Sequence, residues 1–289
     1  MEVRKRQMPV WPSIAVVGYG RVGRVLVRAF KKRGYPIVGV VVRRPTGDPW
    51  LKRSRIKVYA SVAELPDETR FLVLALRDGQ IAEATREIIA RKRFKRGTVV
   101  AHTAGALSSA VLEPVRLVGC LPLAWHPFQT FTGDEGPELL EGITFGIDGD
   151  PAAVRLGEKI AHDLGGIPFP VPPESRAMYH LGAVVSCNLM PALAALSQEL
   201  LEEAGMDRSR SLQALGPLIE ATARNIARKG LPEAITGPLK RGDAETIAKH
   251  LKVLEHHPEA CKIYKALSRV LLEQIPEVKD RRGLKRLLK

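Results

Sequence analysis

The chain reads as an α/β N-terminal domain, a Rossmann-like doubly wound sheet, followed by an all-α C-terminal domain. Three observations predict this. Short β-branched runs alternate with amphipathic stretches through the first part of the chain. A G-x-G-x-x-G segment joins the first strand to the first helix. Beyond the proline-rich stretch from Ile167 to Pro173, every periodic segment has helical spacing. The boundary is placed there, giving a domain over 1–172 and a helical domain over 173–289.

Ile14 to Val17 is apolar throughout, as a strand buried on both faces should be. Gly20 to Lys32 follows as a helix with Val22, Val25, Leu26 and Ala29 on one face, and Gly34-Tyr35-Pro36 ends it. Ile37 to Val42 is the second strand, Phe71 to Leu76 the third, and Ile81 to Ala90 the next helix. Gly97 to Ala101 is a strand, Leu107 to Leu112 a short helix, and Arg116 to Leu121 and Ile143 to Ile147 are further strands. Ala152 to Leu164 closes the pattern as a helix before a last extended segment. Helices are then expected over Glu174–Ala204, Arg208–Lys229, Asp243–His256 and Glu259–Gln274.

Composition narrows the function. With 45% apolar residues the chain has ample material for a core, which excludes disorder. No apolar run is read as long enough to span a bilayer, and no secretory signal is recognised, so a cytoplasmic protein without a membrane partner is expected. Cys120, Cys187 and Cys261 lie far apart, so neither a disulfide framework nor a metal site is expected. Asparagine occurs only at positions 188 and 225 among plentiful charges, a thermophile-like composition. The net charge of +14 favours anionic partners. Its cations are dispersed and accompany no nucleic-acid motif, so a phosphorylated cofactor or an anionic metabolite is preferred to nucleic acid.

The cofactor follows from Gly18-Tyr19-Gly20-Arg21-Val22-Gly23, which sits between a strand and a helix. Gly18 permits the tight turn, Gly20 lets the backbone approach a pyrophosphate, and Gly23 lets helix and strand pack closely. An NAD site would place a carboxylate about 20 residues further on, against the ribose 2′-hydroxyl. Here Arg43 and Arg44 stand at that place, and guanidiniums match a 2′-phosphate, so NADP is predicted. Leu76-Arg77 and His102-Thr103 end two strands and are assigned to the cofactor edge. His126 follows a later strand, and a histidine there could protonate a carbonyl or imine as hydride arrives. In the first helix of the second domain His180 and Asn188 are polar groups in an apolar run, separated by ~12 Å along an ideal axis and ~80° around it. Thr236, Lys240, Arg241 and Asp243 lie between two helices; the two cations could hold an anionic substrate, and Asp243 could cap the next helix.

Together the glycine loop, His102-Thr103-Ala104-Gly105, His126 to Phe131, Tyr179-His180 to Asn188 and Thr236 to Asp243 resemble a known family over essentially the whole chain. That family pairs a Rossmann-like domain with the domain of unknown function 2520 and resembles a branch of the 6-phosphogluconate-dehydrogenase-like superfamily, beside ketopantoate reductase, 3-hydroxyacid dehydrogenases and pyrroline-5-carboxylate reductase. The resemblance implies an NADP-dependent oxidoreductase for a small anionic 2-oxo or hydroxy acid, with ketopantoate the leading substrate, and a homodimer built through the helical domain. Cyclic imine reduction and a non-enzymatic NADP-binding sensor stay open. Many of these cousins carry Lys-x-x-x-Asn on the first helix of the second domain. Asn188 matches the Asn but Val184 replaces the Lys, so a different proton donor, His180 or His126, is expected.

Overall fold

A computed structural model describes residues 11–43, 46–91 and 94–289. In chain order the first half contains β1 (Ile14–Val17), α1 (Arg21–Lys32), β2 (Ile37–Val41), α2 (Pro49–Arg53), β3 (Val58–Tyr59), β4 (Phe71–Leu74) and α3 (Asp78–Arg91). There follow β5 (Val99–His102), β6 (Leu121–Pro127), β7 (Thr144–Gly149), α4 (Pro151–Asp163) and β8 (Ile167–Pro170). The strands form one sheet of eight in the order β3-β2-β1-β4-β5-β6-β7-β8, parallel except where β7 runs against β6. The alternating apolar faces explain its two-sided core. Ile14 and Val16 pack with Leu26, Phe30 and Trp125 on one face, while Ala15 and Val17 pack with Leu74, Ile81 and Val100 on the other.

Two expectations about this half are corrected. Arg116 to Leu121 is not a strand: Ser109–Val118 is a 3-10 helix with Pro114 inside it, and the strand begins at Leu121. The β-branched content suited either conformation, and Gly119 at φ +76° supplies the turn between them. Consequently Trp125, His126 and Pro127 lie within β6 and not in a loop after it. The short elements α2 and β3 carry too few residues for periodicity to reveal them.

By compactness the chain divides after Asn188. The segment 173–188, which the proline-rich stretch assigned to the helical domain, therefore groups with the sheet. It comprises a 3-10 turn, α5 (Arg176–Ala183) and a π-helical turn over Val184–Asn188. The remaining helices are α6 (Met190–Glu203), α7 (Arg208–Lys229), α8 (Gly237–Arg241), α9 (Ala244–Val253), α10 (Pro258–Gln274) and α11 (Arg281–Leu287). Within this second unit Ile247, Leu272, Ile275, Leu284 and Leu288 form a core. Leu189, Leu193, Leu212, Leu218 and Ile226 are exposed on α7, on α6 and just before it. The run Pro173–Glu203 also corrects the reading of hydropathy: it is long and apolar enough, by length and composition, to cross a membrane. Between Ala177 and Gln198 it contains no Asp, Glu, Lys or Arg, which scattered small and polar residues conceal from inspection.

Candidate active site

The glycine loop has the geometry its spacing requires. Gly18 adopts φ +96°, and a Cβ there would collide with the Ala75 carbonyl oxygen; one at Gly23 would collide with the Gly18 carbonyl oxygen. At Gly20 no described atom beyond its own local backbone and chain neighbours lies within 4 Å of where a Cβ would stand, so the backbone face is open to a close-approaching group. Gly20 also occupies the N-cap of α1 without a side-chain bond, and the first turn contains no acid. Its N–H groups and the positive end of the helix dipole therefore stay available to a pyrophosphate. The loop lies at the carboxyl end of β1, between β2 and β4, which is the topological switch point of this sheet.

The surroundings of the loop are tightly braced. Tyr19 donates a hydrogen bond to Asp48 Oδ2 at 3.0 Å, and Arg28 does so at 3.4 Å. Asp48 caps α2 by accepting from the Trp50 N–H at 2.9 Å. Burial would raise its carboxyl, but these hydrogen bonds and the charges of Arg28 and Arg24 together hold it below the usual range. Asp48 is thus fully engaged within the protein. Arg43, at the end of β2, is exposed and pairs with Glu83 at 2.8 Å; Arg44 lies outside the described residues. Leu76 and Arg77 follow β4 on the same edge, with the Leu76 side chain beside Gly18.

His102 is fully buried at the end of β5, and its ring is consumed by backbone. Nδ1 accepts from the Ala104 N–H at 3.2 Å, so Nε2 carries the proton that it donates to the Ser108 carbonyl at 3.1 Å. Burial holds its pKa below the ordinary histidine value. The ring therefore shapes the 102–108 turn. Neighbouring Thr103 is likewise buried, its hydroxyl directed at the Leu74 carbonyl.

A cavity of about 410 Å³ joins the start of α1 to the end of β6 and to α5 with its π turn. Arg21 and Val22 line it together with His126, His180 and Asn188, and Gln129, Thr130, Ser186 and Cys187 add polarity. Among the described residues no acid lines it, so Arg21 gives the cavity a positive end. His126 and His180 meet edge to face at 6.0 Å between ring centroids. Gly105 makes room for both: a Cβ there would overlap the His180 ring and stand 2.8 Å from His126 Nε2.

The π turn explains why His180 and Asn188 share this cavity. An ideal helix sets them ~80° apart, but a π turn inserts one residue, worth ~100° of phase. The offset falls to about 20° in the opposite sense, and both residues come onto one face.

Behind His126 lies a layer that spacing did not reveal. The Tyr179 hydroxyl is 3.1 Å from His126 Nδ1, and Gly146 leaves it space, since a Cβ there would stand 2.5 Å from the Tyr179 oxygen. Arg176, one turn before His180, is 1% exposed. It donates from Nε to Asp148 Oδ2 at 2.5 Å and from Nη2 to the Gly146 carbonyl at 3.1 Å. Asp148 also accepts from the Ser109 N–H at 2.9 Å. Burial, followed by the neighbouring His180, Arg176 and His102, pushes the His126 pKa down to about 3. Burial pushes the Tyr179 hydroxyl up to about 12. The one sequence signal for Arg176 was its place as the last charged residue before a long uncharged run.

The remaining predicted residues belong to the second unit. Thr236 stands at the N-cap of α8 without a side-chain bond, and Lys240 and Arg241 are exposed on that helix. Asp243 caps α9, accepting from the Thr246 N–H at 3.0 Å and its hydroxyl at 2.7 Å, with Arg241 3.8 Å away.

Family comparison matches residues 4–127 to a Rossmann-like domain and residues 143–271 to the domain of unknown function 2520. The chain pairs these two domains. No curated protein matches it. Among solved structures, a candidate NADP oxidoreductase of Bacteroides fragilis is 26% identical with a TM-score of 0.70, over 91% of this chain and 98% of that one. A Thermotoga maritima protein is 24% identical with a TM-score of 0.72, over the same shares of 91% and 98%. A pyrroline-5-carboxylate reductase of Coxiella burnetii is 16% identical with a TM-score of 0.59, again over 91% and 98%. The chain is therefore similar in fold to these proteins over most of its length.

Proposed function

We propose that this chain is an NADP-dependent oxidoreductase that reduces a small anionic 2-oxo acid to the hydroxy acid, with ketopantoate the leading candidate. One observation carries the reading: the helix that opens at the glycine loop also lines a cavity with His126, His180 and Asn188. The open backbone at Gly20 and the uncapped α1 terminus suit a dinucleotide pyrophosphate, and Arg43 with Arg44 would take a 2′-phosphate. Bound NADPH would supply the hydride to the carbonyl carbon. His180 would give the matching proton to the carbonyl oxygen, Asn188 would hold that oxygen, and Arg21 would face the substrate's negative charge. His126, neutral across the physiological range, does not serve as the acid in this scheme.

Cyclic imine reduction is the second reading, favoured by the fold likeness to a pyrroline-5-carboxylate reductase. NADPH oxidation over a panel of 2-oxo acids and cyclic imines tests both. Turnover of neither, with intact NADPH binding, would leave a cofactor-binding sensor.

We assign residues 1–172 to cofactor binding and 173–289 to substrate binding and dimerisation, with Thr236, Lys240, Arg241 and Asp243 contributing to the substrate. A homodimer in the cytoplasm is proposed, its interface formed by the exposed apolar faces of α6 and α7. Between these helices lies an apolar groove lined by Met190, Leu193, Leu218 and Ile226. Light scattering should give twice the chain mass at micromolar concentration, and a monomer there would overturn the assignment.

A further inference from the structure

We propose that burial beside the Arg176 cation, itself anchored by Asp148, holds His126 as a neutral imidazole that presents Nε2–H to the cavity, so that His126 binds the reacting oxygen or nitrogen as a hydrogen-bond donor and gives up no proton. This assigns Arg176 as a positioning residue, and its use in turnover rests on the oxidoreductase reading above.

Geometry carries the inference. His126 on β6 faces Gly146 on β7 across the antiparallel register. The Arg176 guanidinium bonds the carbonyl oxygens of Gly146, at 3.1 Å, and of Ala124, at 3.4 Å. The cation is therefore anchored beneath the strand pair that carries His126. Its helix supplies Tyr179 and His180 to the same ring.

The titratable groups around His126 are Arg176, Tyr179 and His180 on α5, His102 on β5 and Asp148 on β7, and Arg21 and Cys187 line the same cavity. Asp148 alone is acidic, and Arg176 and the Ser109 N–H take its two oxygens. With Asp148 balanced by Arg176, no free carboxylate among the described residues faces the ring to stabilise a positive imidazole. Burial and three basic neighbours all oppose one.

The tautomer follows from Tyr179. Its hydroxyl stays protonated, its oxygen also interacts with the Gly146 backbone N–H, and Nδ1 of His126 lies 3.1 Å away as the acceptor for the O–H. Donation from the phenol to Nδ1 satisfies the O–H and puts the histidine proton on Nε2. The opposite arrangement would leave the partly buried O–H without an acceptor, at the cost of an unmade hydrogen bond. Nε2 looks into the hollow that Gly105 leaves, and it makes no hydrogen bond among the described residues. A neutral imidazole can polarise a carbonyl from such a position without transferring its proton.

Two-bond proton–nitrogen correlation spectra of the full-length 15N-labelled protein test this without NADPH or substrate, so the result is independent of whether the oxidoreductase reading holds. His126 should show the Nε2–H tautomer and no titration from pH 8 to pH 5. The conservative variant Arg176→Lys should keep that behaviour. Arg176→Met with Asp148→Asn removes both charges while Asn still accepts from Ser109; with the series continued below pH 5, the His126 midpoint should stand at least about one pH unit above the parent value of about 3, the smaller end of the effect of a nearby charge. Should that variant fail to fold, Tyr179→Phe carries the test, and His126 should then populate both tautomers. A parent His126 that titrates between pH 5 and 8, a midpoint unmoved in the double variant, or an unchanged tautomer in Tyr179→Phe would each overturn the proposal.

Discussion

Gly105→Ala places one methyl group where the candidate site has no room for it. The added carbon would stand 2.8 Å from His126 Nε2, whereas non-bonded atoms settle at ~3.5–4.0 Å. His126 must retreat by roughly 0.7 Å or more to reach that contact, and the His180 ring, which the methyl would overlap, must move further. A displacement of about 1 Å between reacting groups lowers turnover by about 10²-fold. Overpacking itself should cost about 1–3 kcal/mol of stability. Gly182→Ala is the matched control: it lies on the same helix as His180, with nothing within 4 Å of the new carbon. It should gain up to ~1 kcal/mol through helix propensity and leave turnover unchanged. NADPH oxidation, NADPH fluorescence titration and thermal melts of the three proteins read these effects separately. Turnover of Gly105→Ala within threefold of the parent, at unchanged NADPH affinity, would show that the two rings do not form the reacting site.

Arg43→Ala with Arg44→Ala should weaken NADPH by a few kcal/mol at most and spare NADH, since each charge-assisted bond contributes about 1.5–3 kcal/mol. Because Arg43 pairs with Glu83 at 2.8 Å, Glu83→Gln should tighten NADPH in the same titration, and equal losses for both cofactors in the arginine variant would refute the assignment. His180→Gln should lower kcat by roughly 10²–10⁴ at unchanged NADPH affinity, and Asn188→Ala should lower kcat/KM, both measured by single-turnover mixing. Acid stability should follow His126: its folded pKa of about 3 lies below the unfolded value of ~6.5, so its contribution is complete above pH 6.5 and is lost as pH falls toward 3. Urea melts at pH 7 and pH 5 should show a smaller loss for His126→Gln than for the parent, and an equal loss would exclude His126 as a source of the acid sensitivity.

Alternation of strand and helix was legible because both periods are written in runs of several residues. Ile14 to Val17 is buried on both faces, and α7 coincides with the helix read over Arg208–Lys229. The glycine loop was legible for another reason: each glycine answers a separate steric demand at fixed spacing. Elsewhere periodicity had nothing to say. α2 and β3 are too short to repeat, and Ser109–Val118 carries an apolar pattern that a strand tolerates equally well. Arg176 shows the deeper limit. A lone cation at the head of an apolar helix reads as a solvated end, and its partner Asp148 is 28 residues earlier, on a strand. Only tertiary structure brings those charges together, and with them the environment that keeps His126 neutral.

Val184 and Asn188 show how an ideal-helix argument fails at a functional site. By even spacing His180 and Asn188 diverge by ~80° around the helix and lie ~12 Å apart along it. The π turn begins at Val184, the position where many cousins of the resembled superfamily carry lysine, and ends at Asn188. One inserted residue rotates everything after it by ~100°, which brings Asn188 onto the face of His180. The same rotation gives a physical account of the missing lysine. A side chain at 184 would lead into the turn from its first residue, whereas His180 already lines the cavity beside His126. If this is the reason for the exchange, Val184→Lys alone should not rescue His180→Gln, because the lysine would supply a cation without the position of the lost imidazole. Single-turnover rates of the double variant decide it: recovery to within tenfold of the parent would mean that the cousins' lysine site survives here, and that the π turn has not moved the proton donor.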